Sequence, residues 1–152
     1  MNKKVELKIY RLSKAIPLPY YASKDAACMD FYSANVAPIE VYPGETAVVS
    51  LGIKVAVPKG YKLTIKSRSG LSRDYGVIIL NAPGTVDADY RGEVKAIVHN
   101  CGQEKFVVDP FMRICQGELE PAPQYPIREV ETEDELGDTE RGEGGFSSTG
   151  LK

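Results

Sequence analysis

Gly84-Thr85-Val86-Asp87-Ala88-Asp89-Tyr90-Arg91-Gly92-Glu93-Val94-Lys95 is the stretch around which this chain is organised, with Asn81-Ala82-Pro83 leading in and Ala96-Ile97-Val98 leading out. Pro83-Gly84 is a turn signal, because proline presets its own φ and glycine tolerates backbone that side chains forbid. From Glu93 to His99 several β-branched residues mark a strand. The stretch therefore reads as a hairpin, or a sharp loop, feeding a strand. At its bend stand two carboxylates, Asp87 and Asp89, with Tyr90 next to them. Side chains two apart on extended backbone point the same way. The two acids can share a pocket, or one faces a site while the other braces the turn. Aspartate in a turn most often caps the turn's own backbone, so the rest of the chain has to decide.

Outward from this stretch the pattern stays β. Residues 5–10 and 61–66 alternate with period two, as half-buried strands do, and 77–80 is a short, continuous apolar run suited to a buried strand. Residues 45–57 hold two β-rich pieces parted at Gly52, and 106–108 and 113–119 add further strands. Ile16-Pro17-Leu18-Pro19 cannot supply a central ladder and reads as an edge or a connection. Only residues 67–75 suggest a helical turn. Many short strands, turn signals about every ten residues and no long helical period predict an all-β sandwich or barrel.

The 152 residues suit one domain with a real core. A net charge of −2 gives no electrostatic reason to bind nucleic acid or a membrane surface, and the absence of Trp weakens any stacking platform for single strands. Cys28, Cys101 and Cys115 make an odd set without CxxC spacing, which points to a reducing compartment and no disulfide framework. With His99 the only histidine, a zinc site is not expected. No stretch is apolar enough to span a bilayer, and the N-terminal residues lack a signal-peptide core. The expected location is the cytoplasm, or the equivalent intracellular compartment of a host cell.

After Pro126 the composition shifts. Residues 129–143 are dense in Asp and Glu and too polar to join a core, so they are expected to be mobile. They end in Arg141-Gly142-Glu143-Gly144-Gly145-Phe146-Ser147-Ser148-Thr149-Gly150, whose Arg, Phe and hydroxyls are unusual for a mere spacer. Two other polar segments have the same character: Arg68-Ser69-Gly70, and Arg113 with Gln116. Arginine offers a planar fork of donors, and hydroxyls with glycine-flanked N–H groups line anion nests. One such segment is weak evidence. Several, together with Asp30 and Asp87 for a metal and a base, suggest a polyphosphate ligand.

Five segments, in order and spacing, resemble the five motifs of the trimeric dUTP diphosphatases (dUTPases). They are Ala26-Ala27-Cys28-Met29-Asp30-Phe31, Arg68-Ser69-Gly70-Leu71-Ser72, residues 84–92 of the opening stretch, Arg113-Ile114-Cys115-Gln116, and residues 141–150. The third and fifth are long and specific, and the resemblance covers nearly the whole chain.

The resemblance implies a jelly-roll-like β-barrel over residues 1–128 and a mobile acidic and glycine-rich arm over 129–152. It implies a homotrimer whose active sites are shared between subunits, with no nucleic acid or membrane partner. The implied reaction splits dUTP to dUMP and pyrophosphate with Mg²⁺, limiting uracil in DNA and supplying dUMP for dTMP synthesis. Asp87 would be the base that activates water for in-line attack on the α-phosphorus. Mg²⁺ would be held mainly by the triphosphate and waters, with Asp30 reaching it through a water. Arg68, Ser69, Gly70 and Gln116 would hold phosphates, and Arg141 with Ser147, Ser148 and Thr149 would close over the distal ones. Uracil would meet main-chain groups from Asn81 through Thr85 and Val86 to Asp87, and Phe146 would stack on it. Tyr90 would pack under the deoxyribose and exclude a 2′-hydroxyl, and Lys95 is a further candidate contact.

Four positions depart from the common pattern: Cys28 for glycine, Ser67 for proline, Phe111-Met112 for Gly-Asp, and Ser147 for glycine. None removes a reacting group. A dCTP deaminase shares the fold, but it needs a glutamate acid–base where this chain supplies Asp87. A nucleotide-sensing regulatory protein on the same fold is the alternative from another class.

Overall fold

The computed structural model describes residues 5–145. Eleven strands and one short helix follow in order: β1 (Lys8–Arg11), β2 (Tyr20–Tyr21), β3 (Met29–Tyr32), β4 (Ile39–Val41), β5 (Thr46–Ala56), β6 (Tyr61–Lys66), α1 (Ser69–Tyr75), β7 (Val77–Ile79), β8 (Gly84–Val86), β9 (Glu93–Asn100), β10 (Phe106–Val108) and β11 (Arg113–Pro121). They form a four-stranded sheet in the order β1-β5-β9-β7, a five-stranded sheet in the order β2-β3-β11-β6-β8, and the pair β10-β4. All pairings are antiparallel.

Period-two alternation builds the core. In β9, Val94, Ala96 and Val98 are buried while Lys95 stays exposed. Leu63 and Ile65 of β6, Phe31 of β3, Ile114 of β11 and Val49, Leu51 and Ile53 of β5 join them in one apolar cluster that draws on all three sheets. The all-β expectation therefore holds, and α1 is the only α-helix among the described residues.

Two local readings change, and a third is decided between its alternatives. Residues 46–56 form one strand rather than two pieces, because Gly52 takes φ +61° inside a bulge where the β5–β9 register shifts between Ser50 and Lys54. The first strand begins at Lys8, not Val5. Of the two readings of the opening stretch, the sharp loop feeding a strand holds and the hairpin does not. Thr85 pairs with Thr64 of β6, whereas β9 pairs with β5 and β7 in the other sheet. Residues 87–92 are thus the crossing from one sheet to the other.

Among the described residues the strands end at Pro121. Residues 122–145 carry no buried side chain, and their one regular piece is a 3-10 turn over Glu133–Leu136, where Arg128 pairs with Glu135 at 3.0 Å.

Candidate active site

The first polar cluster follows from strand register. Tyr20 pairs with Asp30, Asp30 with Gln116, and Gln116 with Lys66. Directly paired residues face the same way, so these side chains form one row across the five-stranded sheet. Asp30 is buried at 8% exposure, and its charge is answered from both sides. Arg68 Nε donates to Asp30 Oδ1 at 3.0 Å, and Arg113 Nη1 donates to Oδ2 at 3.1 Å. Arg68 Nη1 also donates to the Arg113 carbonyl at 2.8 Å, and Gln116 Nε2 donates to the Ser67 carbonyl at 2.8 Å. Two guanidinium groups against one carboxylate leave a positive surplus suited to an anion. The cluster borders a cavity of about 390 Å³ lined also by Ser69, Gly70 and Cys28.

The thiols around it are not prepared to react. Burial, then the Glu118 charge, pushes the Cys28 thiol up, and burial pushes Cys115 up to about 12. Thiolate is the nucleophilic and metal-binding form. All three cysteines are free, and no group of three or more His, Cys, Asp or Glu among the described residues could hold a metal by itself.

The second cluster is the crossing loop. Asn81, Thr85, Val86, Asp87, Tyr90, Glu93 and Lys95 line a cavity of about 310 Å³. Asp89 is not among its walls and faces a separate cavity with Lys59 and Arg91, which Asp87 and Thr85 also border. Both acids thus border the larger cavity, and Asp87 alone of the two also lines the smaller one. The loop is tied from within: Tyr90 N donates to the Asp87 carbonyl at 3.2 Å, and Arg91 Nη1 donates to the carbonyls of Ala88 and Tyr90 at 2.8 and 2.7 Å. Tyr90 Oη donates to the Glu93 carbonyl at 3.0 Å. The tyrosine ring lies over Gly92, where an added Cβ would come within 2.5 Å of Tyr90 Cζ. Ser50 holds the base of the loop through the Glu93 carboxylate.

The dUTPase family model matches residues 14–150, nearly the whole chain. The chain belongs to the dUTPase family. The deoxyuridine 5′-triphosphate nucleotidohydrolase of Orientia tsutsugamushi (strain Boryong) is 47% identical over 150 residues, covering 98% of this chain and 99% of that protein. The protein of the same description from Chlamydia trachomatis serovar D is 46% identical over 140 residues, covering 92% and 95%. Among solved structures, the dUTPase of Staphylococcus bacteriophage 80alpha with dUpNHpp is 25% identical, with a TM-score of 0.85 over 96% of this chain and 99% of that one. A mutant dUTPase of S. aureus phage phi11, described as coordinating a structural Mg(II) ion, shares the fold at 21% identity, with a TM-score of 0.76 over 85% and 99%.

Set against the dUTPase motifs, the structure gathers Asp30, Arg68, Ser69, Gly70 and Gln116 at one cavity and Asn81, Thr85, Val86, Asp87, Tyr90 and Lys95 at another. No residue lines both. Arg141 joins neither by a hydrogen bond: its Nε donates to the Gly144 carbonyl at 2.6 Å inside a local turn. Phe146, Ser147, Ser148 and Thr149 lie outside the described residues. Two members of the first cluster escape a local reading of the sequence. Arg113 stands out there only as part of a phosphate-like segment, and the Tyr20 contact to it crosses 93 positions of chain, beyond any local pattern.

Proposed function

We propose that this dUTPase hydrolyses dUTP to dUMP and pyrophosphate, with Asp87 as the base. The observation that carries this reading is the division of labour just described. The Asp87 pocket, where the other wall carboxylate, Glu93, is engaged by Ser50, suits a base, a sugar and a water, and a separate arginine-rich cavity suits phosphates. Main-chain groups from Asn81 to Asp87 offer a fixed donor–acceptor pattern to uracil. Cytosine exchanges a donor and an acceptor at that edge and would leave groups unpaired, which discriminates strongly. Tyr90, seated on Gly92, would floor the deoxyribose. Asp87 would accept a proton from water as it attacks the α-phosphorus in line. Arg68, Ser69, Gly70 and Gln116 would receive the charge that moves toward the leaving pyrophosphate.

The donor set fits Mg²⁺ carried in with the nucleotide. The ion binds through phosphate oxygens and waters and needs only one or two carboxylates, and no all-protein cage exists among the described residues. Each Asp30 oxygen accepts one guanidinium N–H and keeps a lone pair for a metal-bound water. When bound, Mg²⁺ would neutralise charge on the triphosphate.

Because the two half-sites share no wall, the catalytic assembly is proposed to be a homotrimer in which one copy supplies the Asp87 pocket and another the phosphate cavity. Residues 1–128 are the proposed barrel domain and 129–152 the arm, with Arg141, Phe146, Ser147, Ser148 and Thr149 completing the site. No helix of the described residues is long and apolar enough to cross a membrane. Absence of nucleic-acid and membrane partners, and a cytoplasmic or host-intracellular location, belong to the same proposal.

Glu93 also lines the Asp87 cavity, so a deaminase reading has one residue in its favour, although that carboxylate is taken up by Ser50. A nucleotide panel with Mg²⁺ decides. Pyrophosphate release confined to dUTP, and abolished by a chelator, is expected. Ammonia from dCTP, or binding without turnover, would overturn the reading.

A further inference from the structure

Tyr20 belongs to none of the five motifs, yet it sits at the end of the Asp30 row. Its ring stacks on Tyr32, with centroids 6.2 Å apart and planes 18° from parallel, and Tyr32 stands opposite Arg113 in the β3–β11 register. Its hydroxyl accepts a hydrogen bond from Arg113 Nη1 at 3.2 Å, the same nitrogen that donates to Asp30 Oδ2. Both hydrogens of that nitrogen are therefore engaged.

We propose that Tyr20 is a positioning residue of the phosphate half-site, fixing Arg113 against Asp30 and, through the shared carboxylate and the Arg113 carbonyl, orienting Arg68 toward the nucleotide's phosphates. A single guanidinium–carboxylate contact leaves the arginine free to swing about it. The Arg113 side chain is 42% exposed, so water competes for it on the open side. The second contact, to a hydroxyl whose ring is braced by Tyr32, removes that freedom. Arg113 then presents its carbonyl to Arg68 Nη1 while Asp30 takes Arg68 Nε. Among the described residues this leaves Arg68 Nη2 uncommitted. A donor set already aimed in the free protein loses less conformational entropy when an anion arrives.

The inference rests on the reading that this cavity takes the triphosphate, so its test uses inorganic tripolyphosphate as well as dUTP. Tyr20→Phe keeps the ring and the stack and removes only the oxygen. In the full chain, its affinity for tripolyphosphate by calorimetry should fall about three- to tenfold, and KM for dUTP should rise by a similar factor with kcat little changed. Binding of deoxyuridine, which has no phosphate, should not move. Undiminished tripolyphosphate affinity in folded Tyr20→Phe overturns the proposal, as does an equal loss with deoxyuridine. If tripolyphosphate binding weakens but dUTP is never hydrolysed, the positioning role stands and the proposed reaction falls.

Discussion

Ser67 Oγ accepts the backbone N–H of Ile79 at 2.8 Å. Ser67 stands where the family commonly has proline, and this bond gives the departure a physical role. It ties the segment before Arg68 to β7, the strand that runs into Asn81, while the Ser67 carbonyl holds Gln116. Ile79 is buried, so an unanswered N–H there is costly. Ser67→Ala should lower stability by about 1–3 kcal/mol, read as a drop in thermal midpoint, while leaving the reacting groups in place. An unchanged midpoint would show that the bond contributes nothing.

Asp87→Asn should fold, bind a dUTP analogue with near-normal affinity, and lose at least about a hundredfold in kcat. Asparagine keeps the shape but cannot take the water's proton. Turnover close to the parent's would remove Asp87 as the base.

Separate half-sites can complement each other. Asp87→Asn and Arg68→Ala should each be nearly inactive alone. Co-expressed and randomly assorted, they should regain roughly a quarter of the parental sites, because one copy then keeps its loop and its neighbour keeps its phosphate cavity. No recovery in mixed oligomers, or a fully active monomer by sedimentation, would show that one chain completes its own site.

Gly92→Ala places a Cβ within 2.5 Å of Tyr90 Cζ. The ring must then shift toward the Asp87 pocket or lose its bond to the Glu93 carbonyl. The preference for dUTP over UTP should fall by about tenfold or more, because sugar discrimination rests on where that ring lies. Preserved discrimination would mean that another group reads the 2′ position.

Truncation before Arg141 should leave the fold and assembly intact and collapse the rate. The chain contains no Trp, so Phe146→Trp supplies a single indole. Its emission should change when a non-hydrolysable dUTP analogue binds with Mg²⁺, and change little with the dCTP counterpart. Emission indifferent to a saturating dUTP analogue would separate the arm from the base.

Much of this protein is written locally. Alternation in residues 61–66 and 93–99 places Leu63, Ile65, Val94, Ala96 and Val98 inward because a strand's side chains alternate faces whatever its partners are. The polar segments announce an anion, since Arg68, Ser69 and Gly70 are adjacent in sequence and carry the needed donors. Residue identity cannot say which strands pair. Pro83-Gly84 permits a hairpin and a sheet crossing equally, and the choice falls to the crossing because β8 finds its ladder on β6 and β9 finds its own on β5. That choice puts Asp87, but not Asp89, on the wall of the smaller cavity beside Tyr90. Nor does local sequence foresee that Asp30 is held between Arg68 and Arg113, or that Tyr20 completes the row. Those contacts span 38, 83 and 93 positions, and only strand register brings such distant groups within hydrogen-bonding reach.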